Sequence, residues 1–487
     1  MRRLPFLFIV PLFFSCSVSK NYNPNKKYSK EELQRDYSLL RNILEKKHPS
    51  LYWYTPKDSM DTIFNEGYQA IADSMTELQF GWKILAPLTS AIHCGHTSFS
   101  MSKGWNKFIK NKHIPSFPLY LKVWNDTMMV TGNLNRNDSV IKNGDFITSI
   151  NGIKSADIIN RMFDYMVEDG YAENVNYIRL STSFPYFHRN IFGLYKTYYL
   201  TYTDSNGVEK NASIPYYAPS RDTVKKITME RKHEEKKMTR RQKLENIRSL
   251  EYDSLYAIMT VNGFSKGHLY HFFRKSFRNL RKKNIENLVI DLRANGGGDI
   301  NKSVLLTKFL RNTPFKVADS AYSISKNLHP YTRYISSGLL NNIGLLFVTH
   351  KKKDGKYHFG YWERHTFNPK RKNHFKGNVY VLTNGLTFSA SALFCNTVKG
   401  QPKITLAGED TGGGWYGNSG IMIPNITLPE TKLKVRLPFF RLVQYQHIGT
   451  KGTGVIPDVY IGPNWRDILK GVDTKIEVVK KMIEEKK

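Results

Sequence analysis

An α/β domain built on a mainly parallel sheet, preceded by a helical module and a smaller α+β module, is the fold class that the sequence predicts. Three observations lead to it. From residue 256 to about 470, apolar strand-like runs alternate with helical patterns, the arrangement that produces a parallel sheet covered by helices. Between residues 29 and 89, apolar residues recur at helical spacing. Between 114 and 166, short β-prone runs and tight turns lead into one helix.

Each element follows from local chemistry. Ser29 with Glu32 forms a capping-box start, and Leu33, Tyr37, Leu40, Ile43 and Leu44 then line one helical face, which places a helical module over 29–110. Runs 119–123 and 127–130 flank the turn Asn125-Asp126. Gly144-Asp145, Ile150-Asn151-Gly152 and a helix through Ile158, Ile159 and Met162 follow, giving an α+β module over 114–167. Residues 168–218 read as a strand-rich connection, notably 197–203. The Lys-, Arg- and Glu-rich run within 219–250 reads as a solvated helix or disordered insertion. In the α/β region, 251–472, strands are expected at 257–261, 287–292 and 379–383, with helices at 269–280, 302–310 and from about Ser389. Residues 325–375 read as an insertion or lid, and 473–487 as a C-terminal helix.

The chain has 487 residues, 40% of them hydrophobic and 13% aromatic, enough for packed cores in more than one domain. Its 73 Lys and Arg against 41 Asp and Glu leave a formal charge of +32, which favours contact with anionic surfaces. No zinc-finger, RNA-recognition or helix-turn-helix pattern accompanies that charge, so no nucleic-acid partner is expected. An adaptor for anionic surfaces is a weaker reading of the same excess.

At the N-terminus, Arg2-Arg3 precede an apolar run, 4–14, that ends at Ser15-Cys16. The run is short for a membrane-spanning helix and has the order of a signal peptide. It resembles a bacterial lipoprotein signal, which implies a signal peptide over 1–16, lipidation of Cys16 and a tether over 17–28. The mature chain would then be extracytoplasmic, held to the membrane of the bacterial envelope through its lipid, on the periplasmic face or the cell surface. Cys94 and Cys395 form neither a disulfide framework nor a metal-binding pattern, and whether they pair is left open.

Two loops carry chemistry. In the first, strand 379–383 runs through Asn384-Gly385 towards a helix opening at Ser389. A serine there has its hydroxyl at the positive end of the helix dipole, beside free backbone N–H groups. Taken alone, the same residue serves as well for helix capping. The second loop, Asp291-Leu292-Arg293-Ala294-Asn295-Gly296-Gly297-Gly298, ends a buried strand, and its glycines allow close backbone approach to a ligand. It lacks the GxxxxGK[ST] and GxGxxG spacings of phosphate cradles.

Together, Asp291 to Gly298, the Thr387-Phe388-Ser389-Ala390-Ser391 stretch, Gly408-Glu409-Asp410-Thr411-Gly412-Gly413 and Gly454-Val455-Ile456-Pro457-Asp458 resemble the C-terminal processing peptidase (tail-specific protease) family. The resemblance implies a ClpP/crotonase-like α/β protease domain, a PDZ-like module at 114–167 and a serine endopeptidase acting on exposed or C-terminal segments of extracytoplasmic proteins. Ser389 matches the nucleophile, and Gly297 or Gly298 with Ala390 would form the oxyanion hole. The position of the lysine base of one branch is Gly414, and Ala392 stands where a glutamate is common. The base therefore falls to His96, whose Gly95-His96-Thr97 context is similar to the tricorn-like, histidine-using branch. Glu409 and Thr97 are candidates to orient it. His93 and His96 as an HxxH metal pair is a weaker alternative without a third ligand, so no metal and no cofactor is expected. The partner implied is a peptide or unfolded protein. A catalytically inactive peptide-binding lipoprotein of the same fold is the rival reading.

Overall fold

The computed structural model of the chain describes residues 22–486 apart from 111, 113, 220–237 and 446–449. The signal segment with Cys16, the first part of the tether and most of the charged insertion lie outside the described residues.

Sequence alternation becomes a two-sided core in the α/β domain. Strands Ala257–Val261, Asn287–Asp291, Asn378–Thr383, Ile404–Gly408 and Val459–Tyr460 are parallel neighbours in that order, and Arg248–Tyr252 adds an antiparallel edge. Leu288, Ile290, Val379 and Val381 face one side, against Phe273 and Phe277 of helix Leu269–Lys282, Leu306 of helix Ile300–Lys308 and Phe394 of helix Ala390–Val398. Val289, Tyr380 and Leu382 face the other, against Val479 and Ile483 of helix Thr474–Glu484. Near-continuous apolar strands are the signature of a sheet covered on both faces, and the expected α/β class holds.

The helical module begins as predicted. Helix Lys30–Lys47 carries both halves of the Ser29/Glu32 capping box. Helix Lys57–Gln69 and the segments 77–90 follow, and their apolar faces share one core with Leu428, Val435, Leu437 and Phe439 from the far end of the chain. Asp36, fully buried, accepts hydrogen bonds from the N–H groups of Glu430 and Thr431 (both 2.9 Å) and from Thr431 Oγ1 (2.7 Å). Strand Lys434–Arg436 pairs with Phe99–Ser100. These long-range ties carry residues 93–97 onto the α/β domain.

Three segments carry structure beyond the expectation. Residues 168–218 contain the expected strand at 197–203 and more. Strands Thr197–Thr203 and Glu209–Pro215 extend the sheet formed by Leu119–Trp124, Thr127–Asn133 and Phe146–Ile150, and Asn174–Ile191 is a helix. Its helical character is masked in the sequence by Pro185 and by a break at Ser183 (φ −145°, ψ 27°), yet Leu180 and Phe184 bury their side chains in that sheet's core. Within 325–375, His350–Lys351 and Tyr357–His358 form a hairpin that joins a five-stranded antiparallel sheet with Ala318–Ser323, Phe440–Gln444 and Gly417–Ile421. At the end of the tether, Lys27–Tyr28 pairs with Met75–Thr76. Among the described residues, no helix is long and apolar enough to cross a membrane.

Candidate active site

The nucleophile loop is built by its own polar side chains. Asn384 Oδ1 accepts from the Leu386 N–H (2.8 Å), and Thr387 Oγ1 accepts from the Asn384 N–H (3.1 Å), closing the turn after strand Asn378–Thr383. Thr387 Oγ1 also donates to Leu292 O (3.0 Å), and the Phe388 N–H donates to Asn295 O (3.1 Å), which ties this turn to the glycine loop. The base of the glycine loop is held by Arg293, which bridges Asp291 and Asp473.

Ser389 sits at φ 54°, ψ −121°, a region that costs a non-glycine residue on the order of 1–3 kcal/mol. Its side chain makes no capping hydrogen bond, and the helix begins at Ala390. Strain without capping separates Ser389 from an ordinary helix cap, and its half-buried hydroxyl faces an imidazole instead.

That imidazole is His96. Its Nε2 lies 3.0 Å from Ser389 Oγ, although 293 residues separate the two in sequence. The ring is 3% exposed and packs against Phe388 at a centroid distance of 5.0 Å. Its Nδ1 is buried with no hydrogen-bond partner, and the nearby Asp169 carboxylate has Oδ1 at 3.7 Å. Asp169 is itself fixed: Oδ1 accepts from the Gly95 N–H (2.9 Å) and Oδ2 from the Gly414 N–H (3.3 Å). Ser389, His96 and Asp169 therefore stand in the order hydroxyl, imidazole, carboxylate, with the last gap longer than a hydrogen bond, a looseness common in unliganded sites.

Asp169 was not among the residues expected here. It lies in the loop between helices Ser155–Phe163 and Asn174–Ile191, in Glu168-Asp169-Gly170, a combination that any polar turn could show. The two residues expected to orient His96 are engaged elsewhere. Thr97 Oγ1 bonds His48 Nε2 (2.7 Å), while His48 Nδ1 accepts the Ser50 N–H (3.1 Å), so Nε2 is the protonated nitrogen of that ring. Burial holds His48 neutral, its pKa lowered to about 3. Glu409 is paired with Lys475 (2.7 Å) and faces a different cavity, lined also by Arg293 and Asp473.

Gly414, where the resemblance would put a lysine base in the other branch, leaves no room for one. A Cβ there would lie 2.5 Å from Gly417 O and 3.4 Å from Asp169 Cβ, so the carboxylate occupies the neighbouring space. Of the expected oxyanion donors, the Gly297 N–H is taken by Asn295 Oδ1 (3.0 Å). Gly298 lines the same cavity as Ser389, and the Ala390 N–H, in the first turn of its helix, has no intrahelical acceptor.

Cys94 and Cys395 are both free and buried. Cys94, His96 and Asp169 bring ligand-type atoms within 4.8 Å of one another. Burial pushes the Cys94 thiol up to about 12, so in the absence of a metal it stands as the neutral thiol. His93, the other half of the HxxH pair, turns to Glu168 (2.8 Å).

Strand Gly417–Ile421 passes directly over the pair. A Cβ at Gly420 would lie 2.8 Å from the buried Asn418 Oδ1 and 3.3 Å from both His96 Nε2 and Ser389 Oγ. Gly420→Val, which adds two methyl groups beyond that Cβ, is expected to lower the rate of any reaction at Ser389 by at least about 100-fold, given the cost of a misplaced reacting geometry. It should also lower the melting temperature as Asn418 is displaced. Turnover of the purified variant, measured below its own melting temperature, checks this, and unaltered turnover would show that the substrate approaches from another side.

Residues 256–461 match the model of peptidase family S41. No curated protein sequence matches the chain. Among solved structures, mature CPAF complexed with lactacystin is similar at 14% identity, over 93% of this chain and 98% of that one, with a TM-score of 0.63. A peptidase from Parabacteroides merdae gives 14% identity over 94% and 97%, TM-score 0.46. The photosystem II D1 C-terminal processing protease gives 12% identity over 89% and 94%, TM-score 0.40.

Proposed function

We propose that the chain, whose residues 256–461 match the model of peptidase family S41, belongs to the C-terminal processing peptidase family and is a serine endopeptidase in which Ser389 is the nucleophile, His96 the general base and Asp169 the group that orients His96. The observation that carries this reading is the 3.0 Å separation of His96 Nε2 and Ser389 Oγ. Ser389 Oγ adds to the carbonyl carbon of a peptide bond as its proton passes to His96 Nε2. The N–H groups of Gly298 and Ala390 meet the developing oxyanion. His96 then protonates the amine nitrogen as the C–N bond breaks, leaving an acyl–Ser389 ester. Water gives a proton to His96 as it adds to that ester, and the C–Oγ bond breaks to free the acid and restore Ser389. Asp169 stabilises the imidazolium in both steps without taking its proton.

Substrates are exposed or C-terminal segments of extracytoplasmic proteins, in keeping with the signal-like residues 1–16, and Cys16 carries the lipid that holds the chain to the envelope. The placement of an imidazole nitrogen 3.0 Å from the Ser389 hydroxyl favours catalysis over the rival of an inactive peptide-binding scaffold, since binding alone has no use for a base at that oxygen. A fluorophosphonate probe tests the reading. The folded chain should be labelled on Ser389, and Ser389→Ala should not be labelled. Absence of labelling in folded wild type would reject a catalytic Ser389.

A further inference from the structure

The cavity that holds Ser389, about 510 Å³, contains no carboxylate on its wall but two arginines, Arg179 from helix Asn174–Ile191 and Arg436 from strand Lys434–Arg436. Both are partly buried, and neither forms an ion pair among the described residues. Arg179 is aimed by its Nη1, which donates to Val167 O and to Asn176 Oδ1 (3.1 Å), leaving the rest of the guanidinium uncommitted. Its acidic neighbours are occupied: Glu168 by His93 and Asn176, Asp169 by the Gly95 and Gly414 N–H groups. Burial disfavours the charge of each arginine; the nearby Glu168 and Asp169 carboxylates partly offset this for Arg179, and the charge of Arg436 opposes them. Two partly desolvated like charges with no carboxylate in direct contact are costly, and a bound anion lowers that cost.

The same two arginines, with Gly95, also line a second cavity of about 380 Å³. Its wall is aromatic: Trp82 meets Phe99 at 5.5 Å, Tyr186 at 5.6 Å and Phe187 at 6.1 Å, centroid to centroid. The cleft therefore leads from the nucleophile past two cations into an apolar chamber.

We propose that Arg179 and Arg436 form a carboxylate-binding subsite beside Ser389, selecting peptides that place a carboxylate there and an apolar side chain against Trp82. The shared chemistry has two sources, the α-carboxylate of a chain end or the side chain of Asp or Glu. The inference rests on the reading of the Ser389 cleft as a peptide site.

Four peptides of one core sequence test it on the full chain: a free acid with an apolar last residue, its C-terminal amide, and amides bearing Asp or Asn at the preceding position. The acid, the Asp amide or both should show kcat/KM at least about tenfold above the plain amide, mainly through KM, the loss expected for one charge-assisted contact. Preference for the acid identifies a chain end, and preference for Asp over Asn identifies a side chain. Arg436→Gln should shrink the gap to less than about threefold. Equal rates for all four peptides would overturn the subsite. Anisotropy with labelled peptides on Ser389→Ala separates this from the catalytic reading. A carboxylate preference in binding without hydrolysis by wild type keeps the subsite and rejects the catalysis, whereas hydrolysis without preference does the reverse.

Discussion

Under the proposed mechanism, replacement of His96 by alanine is expected to lower kcat for peptide hydrolysis by roughly 10⁴- to 10⁶-fold, with the fold intact, because the serine then has no group to take its proton. The expectation follows from position. His96 Nε2 is 3.0 Å from Ser389 Oγ, and Gly414 admits no side chain without movement of Gly417. Among the described residues, no other basic side chain is hydrogen-bonded to Ser389 Oγ. Residues acting as one unit are not additive, so Ser389→Ala, His96→Ala and the double variant should all fall to the same floor, the residual rate supplied by the oxyanion donors and binding alone. Single-turnover rates with each variant measure this. If His96→Ala kept more than a few per cent of activity while Ser389→Ala was dead, the base would lie elsewhere.

How that pair could be read from the chain depends on what kind of information each member carries. The place of Ser389 at a strand–turn–helix junction was legible because its surroundings are local: strand, Asx turn and helix start lie within about fifteen residues and fix the backbone themselves, whereas the role of nucleophile came from the family resemblance. The central strands were legible for the same reason, since the runs at 287–291 and 379–383 allow little but a doubly covered sheet. His96 could be named only by motif, because what brings it to Ser389 is packing between the ends of the chain, through Asp36 and Thr431 and through the pairing of Phe99 with Val435. Helix Asn174–Ile191 was hidden because Ser183 and Pro185 break its pattern locally, while burial of Leu180 and Phe184 restores it globally. Arg179 and Asp169 depend on that helix and on the loop before it, so both were lost with it. A local sequence window held no trace of Arg179 in the Ser389 cavity or of Asp169 behind His96.

Asp169→Asn should lower kcat by about 10²- to 10⁴-fold and leave KM close to wild type. The substitution is nearly isosteric, but asparagine retains one oxygen for the Gly95 or Gly414 N–H and leaves the other buried N–H without its acceptor, so the melting temperature should fall by a few degrees. What it removes is the charge facing His96 Nδ1 across 3.7 Å, on a ring otherwise buried and without a hydrogen bond on that nitrogen. In wild type the carboxylate favours the tautomer with the proton on Nδ1, which leaves Nε2 free to accept from Ser389. The asparagine amide can donate instead, which favours the opposite tautomer and puts the proton on the nitrogen that must act as base. Two measurements separate this positioning role from a merely structural one. The slowly exchanging Nδ1 proton signal of His96 in the NMR spectrum should be present in wild type and absent in Asp169→Asn, and the fluorophosphonate labelling rate should fall in parallel with kcat. Normal labelling with an unchanged His96 spectrum would show that Asp169 holds the loop at Gly95 and Gly414 and does nothing for the imidazole.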